Sequence, residues 1–235
     1  MTNKHTFSRF DEDLDELRRR VVLMGQEVCQ QVRDAMRGLA DRDRDLLEQV
    51  ILRDKQVNRE EIDLDERCVQ IIVRHSLAAS DLRLITTTMQ MITDMERVGD
   101  EAKKIAKAAR QIAAAEPSSV PDFDLRAVAD RVATMLERAL DAYVRSDITA
   151  APQLAREDKD VDAVTKSVMA DLAQTMMKSP DKVLRAIDAL SIAKAIERVG
   201  DHATNVAEYV VFMSRGRDVR HETIEELEKA VRPAG

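Results

Sequence analysis

The chain is short of turn formers. Its 235 residues include six glycines and five prolines, about 5% together, against roughly 12% in an average soluble protein. Tryptophan is absent and aromatic residues make up 3%. Sandwiches, barrels and propellers spend Gly and Pro on many turns, so these architectures are excluded. No apolar run approaches the ~18 residues of a membrane-spanning helix, and the stretch Met1–Phe7 has no apolar signal region. The two cysteines, Cys29 and Cys68, stand 39 residues apart with no CxxC pair. This is the cysteine usage of a soluble protein of the reducing cytoplasm, with Cys68 expected in the core. Positive charge is in deficit too: 37 Lys and Arg against 44 Asp and Glu leave a net charge of −7 and a pI of about 5.3. Duplex binding needs a basic footprint. The densest basic run, Arg18-Arg19-Arg20, directly follows Asp11, Glu12, Asp13, Asp15 and Glu16, so a solvated face of mixed charge is expected there and no nucleic-acid partner. With 44% hydrophobic residues the chain is too apolar to be disordered. What remains is an all-α protein built from long helices.

The stretch 115–124, with Pro117 and Pro121, is the one clear linker and lies near the midpoint. On either side of it the sequence repeats. Glu-Arg-Val-Gly-Asp occurs at Glu96–Asp100 and again at Glu197–Asp201, an offset of 101. The apolar residues around it keep the same offset. Met91, Met95, Val98, Ala102, Ile105, Ala109 and Ile112 match Ile192, Ile196, Val199, Ala203, Val206, Val210 and Met213. Both series step by four and three, the seam of a helix packed nearly parallel to its neighbours. Upstream, Asp54-Lys-Gln-Val-Asn58 corresponds to Asp158-Lys-Asp-Val-Asp162 at an offset of 104. The pattern predicts three helices per half, over 9–39, 43–74 and 77–114, then 123–147, 151–177 and 180–214. A short amphipathic tail helix is expected over 221–231. Ser76 and Ser179-Pro180 are the expected start signals of the third and sixth helices. The domain division is 1–116, 117–216 and a tail 217–235, in an elongated molecule.

Glu96 and Asp100 stand four apart on one helix, as do Glu197 and Asp201. Like charges at that spacing repel by a few tenths of a kcal/mol on an exposed helix, and a solvated acidic face is the plain reading. Three features argue for more. The same face is apolar upstream, at Ile85, Met89 and Ile92 and at Leu190 and Ala193. A hairpin turning near residue 76 sets Asp54 level with residue 98, and one turning near 179 sets Asp158 level with residue 200 and Asp162 beside Glu197. Finally, Asp54 and Asp158 precede Val57 and Val161 by three on their core seams, where a bare charge is costly. Two oxygen-rich clusters therefore form: Asp54, Asn58, Glu96 and Asp100, and Asp158, Asp162, Glu197 and Asp201. All-oxygen sets suit hard cations such as Mg²⁺ and Mn²⁺, and bridging carboxylates also suit iron. Neutralisation by Arg97 and Arg198 is the competing reading. Gly99 and Gly200 sit between the paired acids, where each costs about 1 kcal/mol relative to Ala, so close backbone approach or room for an ion is expected.

Catalytic signatures are missing. The di-iron bundle requires Glu-x-x-His, and the residues three before His5, His75, His202 and His221 are Thr2, Ile72, Val199 and Asp218. His202 is expected in a solvated or packing role. There is no nucleophile elbow or phosphate-cradling glycine loop, and no enzyme is expected. On the doubled Glu-Arg-Val-Gly-Asp, Asp81-Leu82-Arg83 and Asp201-His-Ala-Thr-Asn-Val-Ala-Glu208, the chain resembles the PhoU family over about residues 8–214. The resemblance implies two three-helix bundles related by a pseudo-twofold, with multinuclear metal sites (Fe, Zn, Mg or Mn) at Glu96/Asp100 and Glu197/Asp201, partnered by Asp54/Asn58 and Asp158/Asp162. Asn58 and Lys104 make the first cluster the less negative one. It further implies a negative regulator of the phosphate-starvation response that modulates phosphate uptake. Such a regulator would link the PstB transporter ATPase to the PhoR histidine kinase, peripheral to a membrane complex. Metal storage or redox work, and a metal-free helical adaptor, are the alternatives. A homodimer is expected as the commonest closed oligomer.

Overall fold

The computed structural model describes residues 3–232, with side chains from Arg9 onward. Helix α1 spans Asn3–Asp41, α2 Arg44–Arg74, α3 Ala79–Ala114, α4 Arg126–Arg145, α5 Ala150–Lys178, α6 Val183–Arg215 and α7 Ile224–Val231. No strand occurs among the described residues. At 1.5 Å per residue α1 is about 58 Å long.

The connections are short and each is held by local chemistry. Asp43 accepts hydrogen bonds from the Asp45 and Leu46 amides at 3.1 and 3.0 Å, capping α2. Arg42, at φ +55°, donates to the Ala113 carbonyl at 2.8 Å and closes the end of α3. Gly216 ends α6 at φ +68°, and Arg83 Nε donates to the Met213 carbonyl at 3.2 Å, which gives the Asp81-Leu82-Arg83 motif a structural use. Two expected caps are absent. Ala78, not Ser76, precedes α3, and the Asp81 carboxylate accepts from the Ala78 amide at 3.2 Å. Ser179 makes no capping bond, and Pro180–Lys182 form a single 3-10 turn before α6. Likewise Pro117–Ser119 form a 3-10 turn inside the linker. Helix α4 begins at Arg126 rather than 123, where Asp124 accepts from the Arg126 amide at 3.0 Å.

The apolar seams lie where the spacing places them. Met91, Met95, Val98, Ala102, Ile105 and Ala109 are fully buried in α3, and Ile192, Ile196, Val199, Ala203 and Val206 in α6. Both cysteines are buried; Cys29 Sγ donates to the Ala133 carbonyl at 3.5 Å, and burial pushes both thiols up to about 12. Each repeat runs up, down and up. The two repeats meet along two antiparallel pairs, α3 with α6 and α1 with α4. On the second pair Arg33 Nε reaches Asp130 at 2.9 Å. The result is one core shared by all seven helices. Its stabilisation follows the apolar area removed from water, about 25 cal/mol per Å². Helix α7, capped by Thr223 and Glu226, lies against α5.

Candidate metal centres

The central pair α3–α6 carries the Glu-Arg-Val-Gly-Asp segments side by side and antiparallel, and α2 and α5 flank them. Each cluster therefore forms across a hairpin, α2 with α3 and α5 with α6. In the second repeat the register is the expected one. A Cβ on Gly200 would lie 2.7 Å from Asp158 Oδ1, so Gly200 is what lets this carboxylate lie against the helix. In the first repeat a Cβ on Gly99 would meet Val57 Cγ1 at 3.1 Å, as one on Gly200 meets the matching Val161 Cγ1 at 3.7 Å, so the two hairpins share one register.

What differs between the two is the residue at 103, lysine where the second repeat has Thr204. Lys103 Nζ donates to Asp54 Oδ2 at 2.7 Å and lies 3.4 Å from Asp100. Asp54, 3% exposed, is thus paired through Oδ2, while its Oδ1 is buried without a partner. Around it stand Asn58, whose Oδ1 is buried without a partner, and Glu96. Burial first, then Asp100, Glu61 and Asp54, raise the Glu96 carboxyl above the usual range. Glu61 is raised by burial, then by Asp65 and Asp100. The sequence reading missed Lys103, Glu61 and Asp65. Spacing would have found the two acids, since 54, 58, 61 and 65 run down one face of α2.

In the second repeat Thr204 occupies the place of Lys103, and no cation touches Asp158. Its Oδ1 is buried with no hydrogen-bond partner. Burial, then Asp201, Asp162 and Glu197, push its carboxyl up to about 7. Asp201 is raised by burial and by Glu197 and Asp162. Glu197 and Asp162 turn to exposed lysines, Lys194 at 2.7 Å and Lys166 at 2.8 Å. As the side chains stand, no three His, Cys, Asp or Glu among the described residues group closely enough to hold one metal ion. The donor chemistry of the second cluster still fits a hard cation. Its acids are held on two helices, its central oxygen is orphaned, and a glycine keeps the approach open. The first cluster fits less well, because Lys103 already sits on its most buried acid.

The motif arginines do not neutralise the clusters. Arg198 Nη1 crosses the α3–α6 seam to Glu101 at 3.3 Å, and Arg97 Nη1 lies 3.9 Å from Asp94. Asp94 and Glu101, 2% and 5% exposed, are two buried acids on the central seam that the sequence reading overlooked. They stand seven apart on α3, one heptad, which is the signal that was available. His202 is neither solvated nor a cluster member: its Nδ1 pairs with Asp94 Oδ1 at 2.8 Å across the seam. The pseudo-twofold relates this contact to one between Glu101 and Ala195, and alanine offers no partner. Glu101 therefore turns to Lys104, at 2.8 Å, and to Arg198. The side chain of His5 lies outside the described residues.

Comparison with known proteins follows the same twofold plan. The PhoU domain matches twice, at residues 21–109 and 125–210. A phosphate-specific transport system accessory protein PhoU homolog from Pseudomonas aeruginosa is 39% identical over 217 residues, 92% of this chain and 90% of the relative. The accessory protein PhoU of Escherichia coli K12 is 36% identical over 227 residues, 97% and 94% of the two chains. The crystal structure of PhoU from Pseudomonas aeruginosa superposes with a TM-score of 0.83 at 38% identity, covering 88% of this chain and all of that one. That of the phosphate transport system regulatory protein PhoU from Streptococcus pneumoniae gives 0.82 at 25% identity, covering 89% and 99%. Tandem three-helix repeats, paired acid motifs at one offset and this near full-length similarity agree: the chain belongs to the PhoU family.

Proposed function

We propose that this protein is an accessory regulator of a phosphate-specific transport system that works by binding and not by turnover. It restrains phosphate uptake and represses the phosphate-starvation response by bridging the PstB transporter ATPase and the PhoR histidine kinase at the cytoplasmic face of the membrane. The observation that carries the reading is the near full-length relation, through both repeats, to proteins of that system. No helix among the described residues is long and apolar enough to cross a membrane, in keeping with a peripheral partner. Asp158, Asp162, Glu197 and Asp201 would hold a divalent or multinuclear metal. The ion would supply Asp158 the partner its buried Oδ1 lacks and tie α5 to α6. Deleting the gene should release alkaline phosphatase in phosphate-rich medium, and the wild-type gene should restore repression. Unchanged phosphatase would refute the role. Co-purification with PstB and PhoR, with metal analysis of the same preparation, separates the metal-bound from the metal-free adaptor.

A further inference from the structure

The segment Asp201–Glu208 ends on an acid that neither the second cluster nor the central seam uses. Glu208 stands seven residues past Asp201, about 10 Å along α6 at 1.5 Å per residue, too far to share one ion with it. It lines instead a cavity of about 250 Å³ at the end of the α3–α6 seam, together with Thr86 and Gln90 of α3 and Tyr209 and Phe212 of α6. The outer wall is the loop after α6, through Asp218 and Arg220. That loop is held in place. Val219 is buried beneath it, the Asp218 carboxylate accepts from the Arg220 amide at 3.1 Å, and Arg220 Nη2 donates to the same carboxylate at 2.6 Å.

The cavity is rich in acceptors and short of free donors. No cation lies within ion-pair distance of Glu208 among the described residues; Arg220 is taken by Asp218 and Arg217 by Glu222. Burial, then Asp218, push the Glu208 carboxyl up to about 7, with Asp158 and Glu222 adding and Arg220 opposing. Glu222 Oε2 is itself buried without a partner. The Thr86 hydroxyl donates to the Leu82 carbonyl at 2.9 Å and keeps its lone pairs. The Gln90 side chain makes no hydrogen bond among the described residues. A guanidinium offers five donors and no acceptor, pairs with a carboxylate through two parallel bonds and stacks on aromatic rings. The volume lies below the roughly 300 Å³ at which small-molecule sites begin, and suits one long side chain. The duplication does not account for this set. At the offset of 101, Glu208, Tyr209 and Phe212 become Lys107, Ala108 and Gln111, and Thr86 and Gln90 become Ile187 and Ser191. The far end of the same seam has neither acid nor ring at these positions.

We infer that this cavity receives the side chain of an arginine presented by a partner protein, its guanidinium on the Glu208 carboxylate and against Tyr209 and Phe212. An arginine anchored in a pocket is among the contacts that concentrate the energy of an interface. The pocket does not depend on the phosphate-control role: a peptide probe reads the one and gene deletion the other.

Titration of the full-length chain with acetyl-Gly-Arg-Gly-amide, followed by saturation-transfer NMR, tests it. The peptide should bind at about 1 mM, the range of a single anchored side chain. The citrulline peptide, of the same shape without the charge, should bind at least tenfold more weakly. Glu208→Gln should weaken the arginine peptide about tenfold or more, and Phe212→Leu about threefold. Arg220→Gln removes a like charge and should leave binding unchanged or tighten it. Helical circular dichroism should not change, since Glu208 has no partner to lose; if Glu208→Gln loses helix, the citrulline and Arg220 arms decide alone. An arginine peptide that does not bind overturns the inference, as does one that binds Glu208→Gln or the citrulline control equally well. Loss of binding in Arg220→Gln, or inorganic phosphate bound in place of the peptide, marks an anion site and overturns it too. Propylguanidinium has the same stem and head without the peptide and should bind no tighter; tenfold tighter binding assigns the cavity to a free cation and overturns the partner.

Discussion

Asp158→Asn should stabilise the metal-free protein, and increasingly so as the pH rises from about 4 to about 7. The substitution keeps the side chain's shape and removes the charge that has no partner. A carboxyl raised from 3.8 to about 7 is penalised when ionised. Each unit corresponds to 1.36 kcal/mol, so the full penalty is about 4 kcal/mol, and the side chain's partial access to water reduces it to about 2 kcal/mol. Because the folded-state value is raised, Asp158 contributes its stability below the unfolded value near 3.8 and loses it as the pH climbs through about 7. In chelator at pH 8 the variant should gain about 2 kcal/mol, or about 4–8 °C in melting temperature for a chain of this length. At pH 5, about a third of the way from 3.8 to 7, the gain should fall to about a third, roughly 0.7 kcal/mol. Adding Mn²⁺ at pH 8 should raise the wild-type melting temperature and leave the variant nearly unchanged. Thermal melts by circular dichroism at the two pH values measure all of this. A gain that is the same at both, or a loss at pH 8, would show that Asp158 is not an uncompensated charge.

The two glycines between the paired acids should behave differently. Gly200→Ala must displace Asp158 Oδ1, 2.7 Å from the new Cβ; helix propensity returns about 1 kcal/mol, so stability should hold while Mn²⁺ affinity measured by calorimetry falls about tenfold. Gly99→Ala crowds only Val57 Cγ1 at 3.1 Å and should leave affinity at the second cluster untouched. Lys103→Thr gives the first cluster the residue of the second; urea denaturation should show a loss of about 2 kcal/mol as Asp54 loses its partner, and added Mn²⁺ should recover most of it. His202→Ala strands Asp94, and a loss of about 2 kcal/mol is expected; combining it with Asp94→Asn should cost less than the sum of the two, read as a double-mutant cycle.

The helices, their order and the antiparallel hairpins are legible because the seam residues obey one period, and burial follows period. Starts such as Ser76 and Ser179 were less legible. Capping depends on which of several nearby polar groups meets the free amides, and Asp81, three residues into the turn, did so from the far side. The identity of the cation on Asp54 was also out of reach. Lys104 drew notice because it aligns with Asn205, yet Lys104 serves Glu101, and Lys103, one position earlier and 100° round the helix, faces the cluster. The seam acids Asp94 and Glu101 escaped for a different reason. Their partners, His202 and Arg198, come from the other repeat, and sequence periodicity within one helix carries no information about which helix will face it.

These misses share a consequence for how the two repeats divide their work. The duplicated backbone places an acid at the same point of each hairpin, Asp54 and Asp158, and a glycine opposite each. What differs is one residue a turn along the central helix. Where that residue is Lys103, the buried carboxylate is neutralised from within at 2.7 Å and the hairpin closes on its own. Where it is Thr204, the hydroxyl itself is buried without a partner and Asp158 keeps an orphaned oxygen. A charge supplied covalently is always present, whereas a charge supplied from solution comes and goes with its concentration. On the proposed metal binding, the first hairpin would be the constant half of the molecule and the second the conditional half. Because α3 and α6 are tied to each other by Asp94–His202 and Glu101–Arg198, an ion that drew α5 onto α6 would move the outer helices, α5 and the α7 that rests on it, rather than the central pair.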